Sequence, residues 1–271
     1  MNARAVEHGD WQRRWRQLVK AIVRVNSAQG EHQLLDWLLR PGEPLVLGFI
    51  NAHAMNSAAV SQKFFDAVGT ADVLVRDGVG MAILLRLLNQ SPGRNLNGTD
   101  LIPKILARCA GGSIAFFGTR DPYLSKAQHV VTKQIAPGSS CVTAHGFLET
   151  AAYVRIAATH RPGVIVLGMG MPRQEEVAMT LRAALGYPCL IVCGGAIIDF
   201  LGKKKPRAPS FLRRAGLEWA VRLALEPRRL FMRYVIGNPV FLLRALDFAI
   251  RSRNEVRTAS IPEAGDYANH Q

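Results

Sequence analysis

An alternation through the middle of the chain constrains the fold most. Short apolar runs at 44–50, 71–75, 113–117, 140–143, 163–168 and 189–193 read as strands. Longer amphipathic stretches at 53–67, 79–88, 100–110, 123–135, 149–160 and 172–185 read as helices between them. Pro103 falls in the first turn of its helix, where proline is tolerated. The pattern predicts βαβ units, hence an α/β fold with a mainly parallel sheet. The run Val164-Ile165-Val166-Leu167 is apolar at every position, as expected when helices cover both faces of the sheet. Residues 23–26 fit a strand or the end of a preceding helix.

In such sheets ligands bind beyond the carboxyl ends of the strands, so the residues that follow each apolar run are the informative ones. They are Asn51-Ala52-His53, Asp77-Gly78-Val79-Gly80, Gly118-Thr119-Arg120, His145-Gly146-Phe147, Gly168-Met169-Gly170-Met171-Pro172 and Gly194-Gly195. The glycines suit close approach by a nucleotide or sugar phosphate, helped by helix N-termini. Gly168-x-Gly170 lacks the third glycine and the later acidic residue of a dinucleotide fingerprint, and no Walker-type loop is present. No DxD occurs, so a sugar-nucleotide enzyme of this kind would hold its diphosphate with fixed arginines and no metal. Cys109, Cys141, Cys189 and Cys193 have no paired spacing and read as reduced core thiols.

Individual residues carry two readings each. Asp77 at a strand end fits a carboxylate that takes a proton from an attacking hydroxyl, and it also fits an N-cap or Asx-turn. Asn51 has the same ambiguity. Asp100 fits a helix N-cap. Gln174, in a first helical turn, faces either a cleft or solvent. His53 and His145 follow strands, but no carboxylate lies nearby in sequence to orient them, which favours structural roles. Without a GxSxG elbow, nucleophilic serine hydrolysis is discarded.

The net charge of +14 calls for an anionic partner: nucleic acid, a membrane surface or a phosphorylated substrate. Residues 203–257 hold 14 Lys/Arg against 4 Asp/Glu, so the excess belongs to a C-terminal segment and the body is nearly balanced. That distribution argues against nucleic acid as the partner. The chain divides into a basic, amphipathic lead-in (1–43), a Rossmann-like core (44–202), a basic helical appendage that associates with membrane (203–253) and a polar tail (254–271). In the lead-in, Trp11, Trp15, Leu18, Val19 and Ile22 form a helical stripe. No stretch reaches the ~20 apolar residues of a spanning helix, and residues 1–24 lack the apolar region of a secretory signal. A cytoplasmic or peripheral protein is expected.

Several motifs then appear in order: Asp77-Gly78-x-Gly80, Gly98-Thr99-Asp100-Leu101, Gly168-Met169-Gly170-x-Pro172-x-Gln174-Glu175, Gly194-Gly195 and Asp199-Phe200-x-Gly202. Arg207-Ala208-Pro209, Gly216-Leu217-Glu218-Trp219 and Glu226-Pro227-Arg228-Arg229-Leu230 follow. Together they resemble the WecG/TagA/CpsF family of bacterial glycosyltransferases, over roughly seventy per cent of the chain. The resemblance implies a compact Rossmann-like domain whose C-terminal appendage completes the active site. It implies an inverting transfer, without metal or other cofactor, from a UDP-sugar to a polyprenyl-diphosphate-linked saccharide at the anionic inner leaflet, in exopolysaccharide or other cell-surface glycan synthesis. It implies Asp77 as the catalytic base, with Asn51 and Gln174 near it and the sugar. Asp199 would contact uridine, with the Gly146-Phe147 turn close to the nucleotide. Gly168, Gly170, Gly194 and Gly195 would line the donor site, and Arg222, Arg229 and Arg233 would bring cations to the diphosphate.

Two positions depart from the family's pattern: Phe49 where relatives often carry Thr, and Asn95 where many carry Arg, with Arg94 one place earlier. The run 95–100 is more similar to the exopolysaccharide branch, including xanthan-type glucosyltransferases, so glucose stands beside N-acetylmannosamine as a donor. A homo-oligomer is left open. Deletion of 211–271 is expected to abolish transfer while leaving the core folded. On the residues alone, a nucleotide-dependent oxidoreductase and a noncatalytic membrane- or RNA-binding protein stay open.

Overall fold

The computed structural model describes residues 3–204, 208–209, 211–212 and 216–259, with side chains from 10 to 252 within those spans. The basic link at 205–207 and the tail beyond 259 lie outside the described residues. The expected α/β architecture forms: one sheet of seven parallel strands in the order β1-β3-β2-β7-β6-β4-β5. The strands are β1 (Ile22–Val23), β2 (Pro44–Ile50), β3 (Val73–Arg76), β4 (Ser113–Gly118), β5 (Ser140–Ala144), β6 (Val164–Gly168) and β7 (Cys189–Cys193).

Alternation along each strand feeds both faces. Leu45, Leu47 and Phe49 of β2 join a core with Leu35 and Leu38 of α2 (Ala28–Leu38), Ile102 of α6 (Gly98–Ala107), Leu124 of α7 (Tyr123–Val130) and Ile198 of α10 (Ile197–Leu201). Ile50 turns to the opposite face, against Trp15 of α1 (Ala3–Ala21), Met55 of α3 (Ala52–Val60), Phe64 of α4 (Gln62–Gly69) and Leu84 of α5 (Val79–Leu87). Val46 and Ile191 pack on that same side with Tyr153 of α8 (Thr150–His160) and Val177 of α9 (Arg173–Ala184). The chain therefore leaves β2 toward α3 on one face and leaves the adjacent β7 toward α10 on the other. Such a divergence opens a crevice at the carboxyl edge of the sheet.

Local differences from the sequence reading have physical causes. The helix expected at 53–67 is two helices, because Ser61 adopts an extended backbone and its hydroxyl accepts from the Phe64 N–H, starting α4 afresh. The residues around 23 supply only the short edge strand β1, paired with β3. Helix α6 starts earlier than expected. Asn97 is its N-cap, accepting from the Asp100 N–H, and so takes the place expected of Asp100. Pro103 consequently lies inside the helix and not in its first turn. The helix expected at 123–135 ends in a π turn over Val131–Ile135.

The appendage continues through α11 (Glu218–Leu225), α12 (Pro227–Phe231), a π turn (Met232–Ile236) and α13 (Gly237–Ala259). One face of α13 is core. Phe241, Ala245 and Phe248 are buried with Trp15, at ring separations of 5.5 and 5.8 Å for the two phenylalanines. Polar bonds fix the same docking: Arg244 donates to Asn56 (3.0 Å), Asn56 to the Gly237 carbonyl (2.7 Å) and Gln12 to Asp247 (3.0 Å). This corrects the truncation expectation. Removing 211–271 would strip the cover from Trp15 and Met55, so a deletion that spares the core has to retain α13.

Candidate functional site

The sheet register builds the site. Ile50 is paired with Arg76 and the Asp77 N–H continues the ladder to the Ile50 carbonyl (2.8 Å), so Asn51 and Asp77 emerge side by side beyond β2 and β3. Asn51 is both a cap and a site residue. Its carbonyl oxygen accepts from the Ala54 N–H at the start of α3 (3.0 Å), which turns its NH2 group toward Asp77 Oδ2 (3.3 Å). Burial pushes the Asp77 carboxyl above the ordinary carboxylate range. The Asn51 bond and the positive charges of Arg222 and Arg233 pull it back, while Glu218 adds to the rise. A carboxyl whose proton affinity is raised by burial and that opens on the cleft can accept a proton there.

Across the crevice, β6 and β7 end level, with the Gly194 N–H bonded to the Leu167 carbonyl (2.8 Å). Close packing demands glycine here: a Cβ on Gly168 would stand 2.6 Å from the Ile198 side chain. Gln174 is fully buried and fully bonded. Its oxygen accepts from the N–H groups of Gly170 (3.2 Å) and Gly195 (2.8 Å), and its NH2 donates to Glu175 (2.8 Å) and the Cys193 carbonyl (3.4 Å). The amide thus clasps the two glycine loops together, and those two N–H groups are spent on the clasp. Behind it, Glu175 is buried with Oε2 unpartnered, and desolvation raises its carboxyl to about 7.

Asp199 stands at the other end of the crevice. It accepts from the Thr119 hydroxyl (2.5 Å) and pairs with Lys204 (3.2 Å), whose ammonium lies 5.3 Å from the Tyr123 ring centre. The appendage closes the crevice from above. Arg222 lies over the Phe200 ring (4.9 Å) and bonds Glu218 (2.6 Å) and, at 3.4 Å, the Thr99 hydroxyl. Arg229 is held by Glu226, and Arg233 lies over Tyr234 (5.4 Å). The Nε atoms of Arg222 and Arg233 are buried without a hydrogen-bond partner. A buried N–H left this way is costly unless something arrives to accept from it. His53 is neutral: desolvation, with the Arg233 charge, lowers it to about 4.

One cleft is therefore lined by Asn51, Asp77, Gly168, Gly170, Gln174, Gly194, Gly195, Asp199, Arg222, Arg229 and Arg233. Gly146 and Phe147 are not in its lining. The Gly146 N–H bonds the Thr119 carbonyl (2.9 Å), which places that turn behind Asp199, with the Phe147 ring largely exposed. Arg94 is also elsewhere: it donates to Glu31 (2.9 Å) on α2. Sequence reasoning missed the ring of Phe200 beneath Arg222, the Thr119–Asp199 bond and the buried state of Glu175. None has a sequence signal of its own, since each depends on which strand end faces which helix.

The family model for the glycosyl transferase WecG/TagA/CpsF family matches residues 18–255. The chain belongs to this family. Among its relatives are the N-acetylglucosaminyldiphosphoundecaprenol N-acetyl-beta-D-mannosaminyltransferases of Staphylococcus aureus strains NCTC 8325 / PS 47 and MRSA252. Each is 28% identical over 184 residues, covering 66% of this chain and 72% of its own. The protein is thus a member of a glycosyltransferase family, and its own C-terminal helices close its cleft. Among the described residues no helix is long and apolar enough to cross a membrane.

Proposed function

We propose that the protein transfers a hexosyl group from a UDP-sugar to a polyprenyl-diphosphate-linked saccharide with inversion, in exopolysaccharide or related cell-surface glycan synthesis. The observation that carries this reading is the placement of the buried Asp77 carboxyl in one cleft with two arginines whose Nε atoms are buried without a hydrogen-bond partner. The acceptor hydroxyl attacks the anomeric carbon and its proton passes to Asp77. The bond from that carbon to the UDP oxygen breaks, and its electron pair stays on the diphosphate. Arg222 and Arg233, with Arg229 at the rim, neutralise the charge that develops there. Asn51 steadies the carboxyl, Gln174 keeps the glycine loops shaped, and Asp199 with the Thr119 bond faces the nucleoside. The Gly146-Phe147 turn supports that end from behind.

The relatives' names support a lipid-linked acceptor and an N-acetylmannosaminyl donor. Phe49, which lines the cleft, keeps glucose as the second donor. The outer face of the C-terminal helices supports docking at the inner face of an anionic membrane. Met232, Ile236, Leu243, Leu246 and Ile250 form an exposed apolar stripe, with Arg228, Arg229 and Arg251 exposed on the same helices. UDP release should be followed with UDP-N-acetylmannosamine, UDP-glucose, UDP-N-acetylglucosamine and UDP-glucuronic acid, on a short-chain polyprenyl-diphosphate N-acetylglucosamine and on its glucose counterpart. Turnover of one donor with a product of inverted anomeric configuration is expected. A retained configuration overturns the mechanism.

A further inference from the structure

The turn that presents Asp77 is held by side chains that the reaction itself does not use. Gly78 follows the proposed base with φ +89°, a left-handed conformation that glycine adopts freely and that by itself leaves the turn loose. Both of its backbone polar groups are nevertheless engaged by side chains. Its N–H donates to Asn95 Oδ1 (2.8 Å), and its carbonyl accepts from Arg76 Nη1 (2.8 Å).

Arg76 is buried at the end of an otherwise apolar strand, and all three of its described hydrogen bonds go to backbone carbonyls. Besides Gly78 it reaches Pro92 through Nε (2.9 Å) and Gly93 through Nη2 (3.1 Å). Those carbonyls belong to the loop that carries Asn95 back to Gly78. The loop is pinned in turn at Arg94, whose N–H bonds the Val25 carbonyl (2.7 Å), and at Leu96, whose N–H bonds the Arg76 carbonyl (3.2 Å).

We infer that Arg76 and Asn95 form a clamp that fixes the peptide planes on either side of Gly78 and thereby aims the Asp77 carboxyl at the cleft. Both are positioning residues. Asn95 is exposed and makes its bond through its oxygen, so its substitution tests the clamp without opening the core. The inference rests on Asp77 being the base of the proposed transfer.

The test compares Asn95→Ala and Asn95→Asp with wild type, using amide hydrogen exchange at Gly78 and steady-state kinetics with UDP-N-acetylmannosamine and UDP-glucose. Asn95→Ala removes the acceptor. Exchange at Gly78 should quicken about tenfold, and kcat should fall about tenfold, the worth of one neutral hydrogen bond, with both KM values within twofold of wild type. Asn95→Asp keeps an acceptor oxygen. It should restore Gly78 protection and most of kcat, while moving the acidic limb of the kcat profile to higher pH because a second carboxylate then stands near Asp77. Unchanged Gly78 exchange in Asn95→Ala overturns the clamp. So does a raised acceptor KM at unchanged kcat, which would make Asn95 a substrate contact. Asp77→Asn run in parallel separates the two readings: full turnover in that variant removes the base, whereas the exchange result judges the clamp without any turnover.

Discussion

Glu175→Gln should stabilise the protein, and the gain should grow with pH. Glu175 is 4% exposed, and its carboxyl is raised from 4.5 to about 7, chiefly by desolvation. The folded protein therefore binds a proton that the unfolded chain gives up between those values. The contribution of Glu175 to wild-type stability falls as pH rises from about 4.5 to about 7 and levels off above. The difference of about 2.5 pH units corresponds to roughly 3 kcal/mol lost by pH 8. Glutamine accepts from the Gln174 NH2 through its carbonyl as Glu175 does now, and it carries no charge to desolvate. The variant should be close to wild type at pH 5 and about 3 kcal/mol more stable at pH 8, some 5 °C in Tm for a chain of this length. Urea unfolding followed by circular dichroism at pH 5, 6, 7 and 8 reads this directly. A gap that does not change with pH, or a variant less stable than wild type at pH 8, would refute it.

Phe241→Ala should lower stability by about 3–5 kcal/mol, because it opens a cavity against Trp15 in the middle of the core. A lower thermal midpoint with red-shifted tryptophan emission is the expected readout, and an unchanged midpoint would mean that α13 is not part of the core. The double substitution Leu243→Glu with Leu246→Glu changes exposed positions only and should leave the thermal midpoint unchanged. Sedimentation with vesicles of phosphatidylglycerol and phosphatidylethanolamine should show binding weakened at least tenfold, since each leucine inserted contributes ~1.5–3 kcal/mol. Equal binding by both proteins would remove the stripe from the membrane contact.

The sheet is legible because buried parallel strands are apolar at every position, and the strands expected at 44–50 and 189–193 match β2 and β7. Helix ends were less legible, because they turn on single caps: Ser61 divides one expected helix, and Asn97 takes the cap expected of Asp100. The cleft was readable from the residues after each strand, yet sequence offered Asn51 as either cap or site residue, and the two oriented halves of its amide make it both. Likewise the place of Gln174 in a first helical turn fits either cleft or solvent, and the structure buries it as the clasp of two loops. The second, inward face of α13 was hidden because its aromatic residues interleave with the outward stripe. Arg76 did carry a signal: a charged residue closing an apolar strand has to find carbonyls to bond.

The most direct test is UDP release by wild type and Asp77→Asn on the donor that wild type turns over, measured from pH 5 to pH 9. A loss of about a hundredfold or more, with donor affinity kept and the acidic limb of the wild-type profile gone, is the predicted result. Wild-type turnover in Asp77→Asn would contradict the account, because the proposed base would then be dispensable.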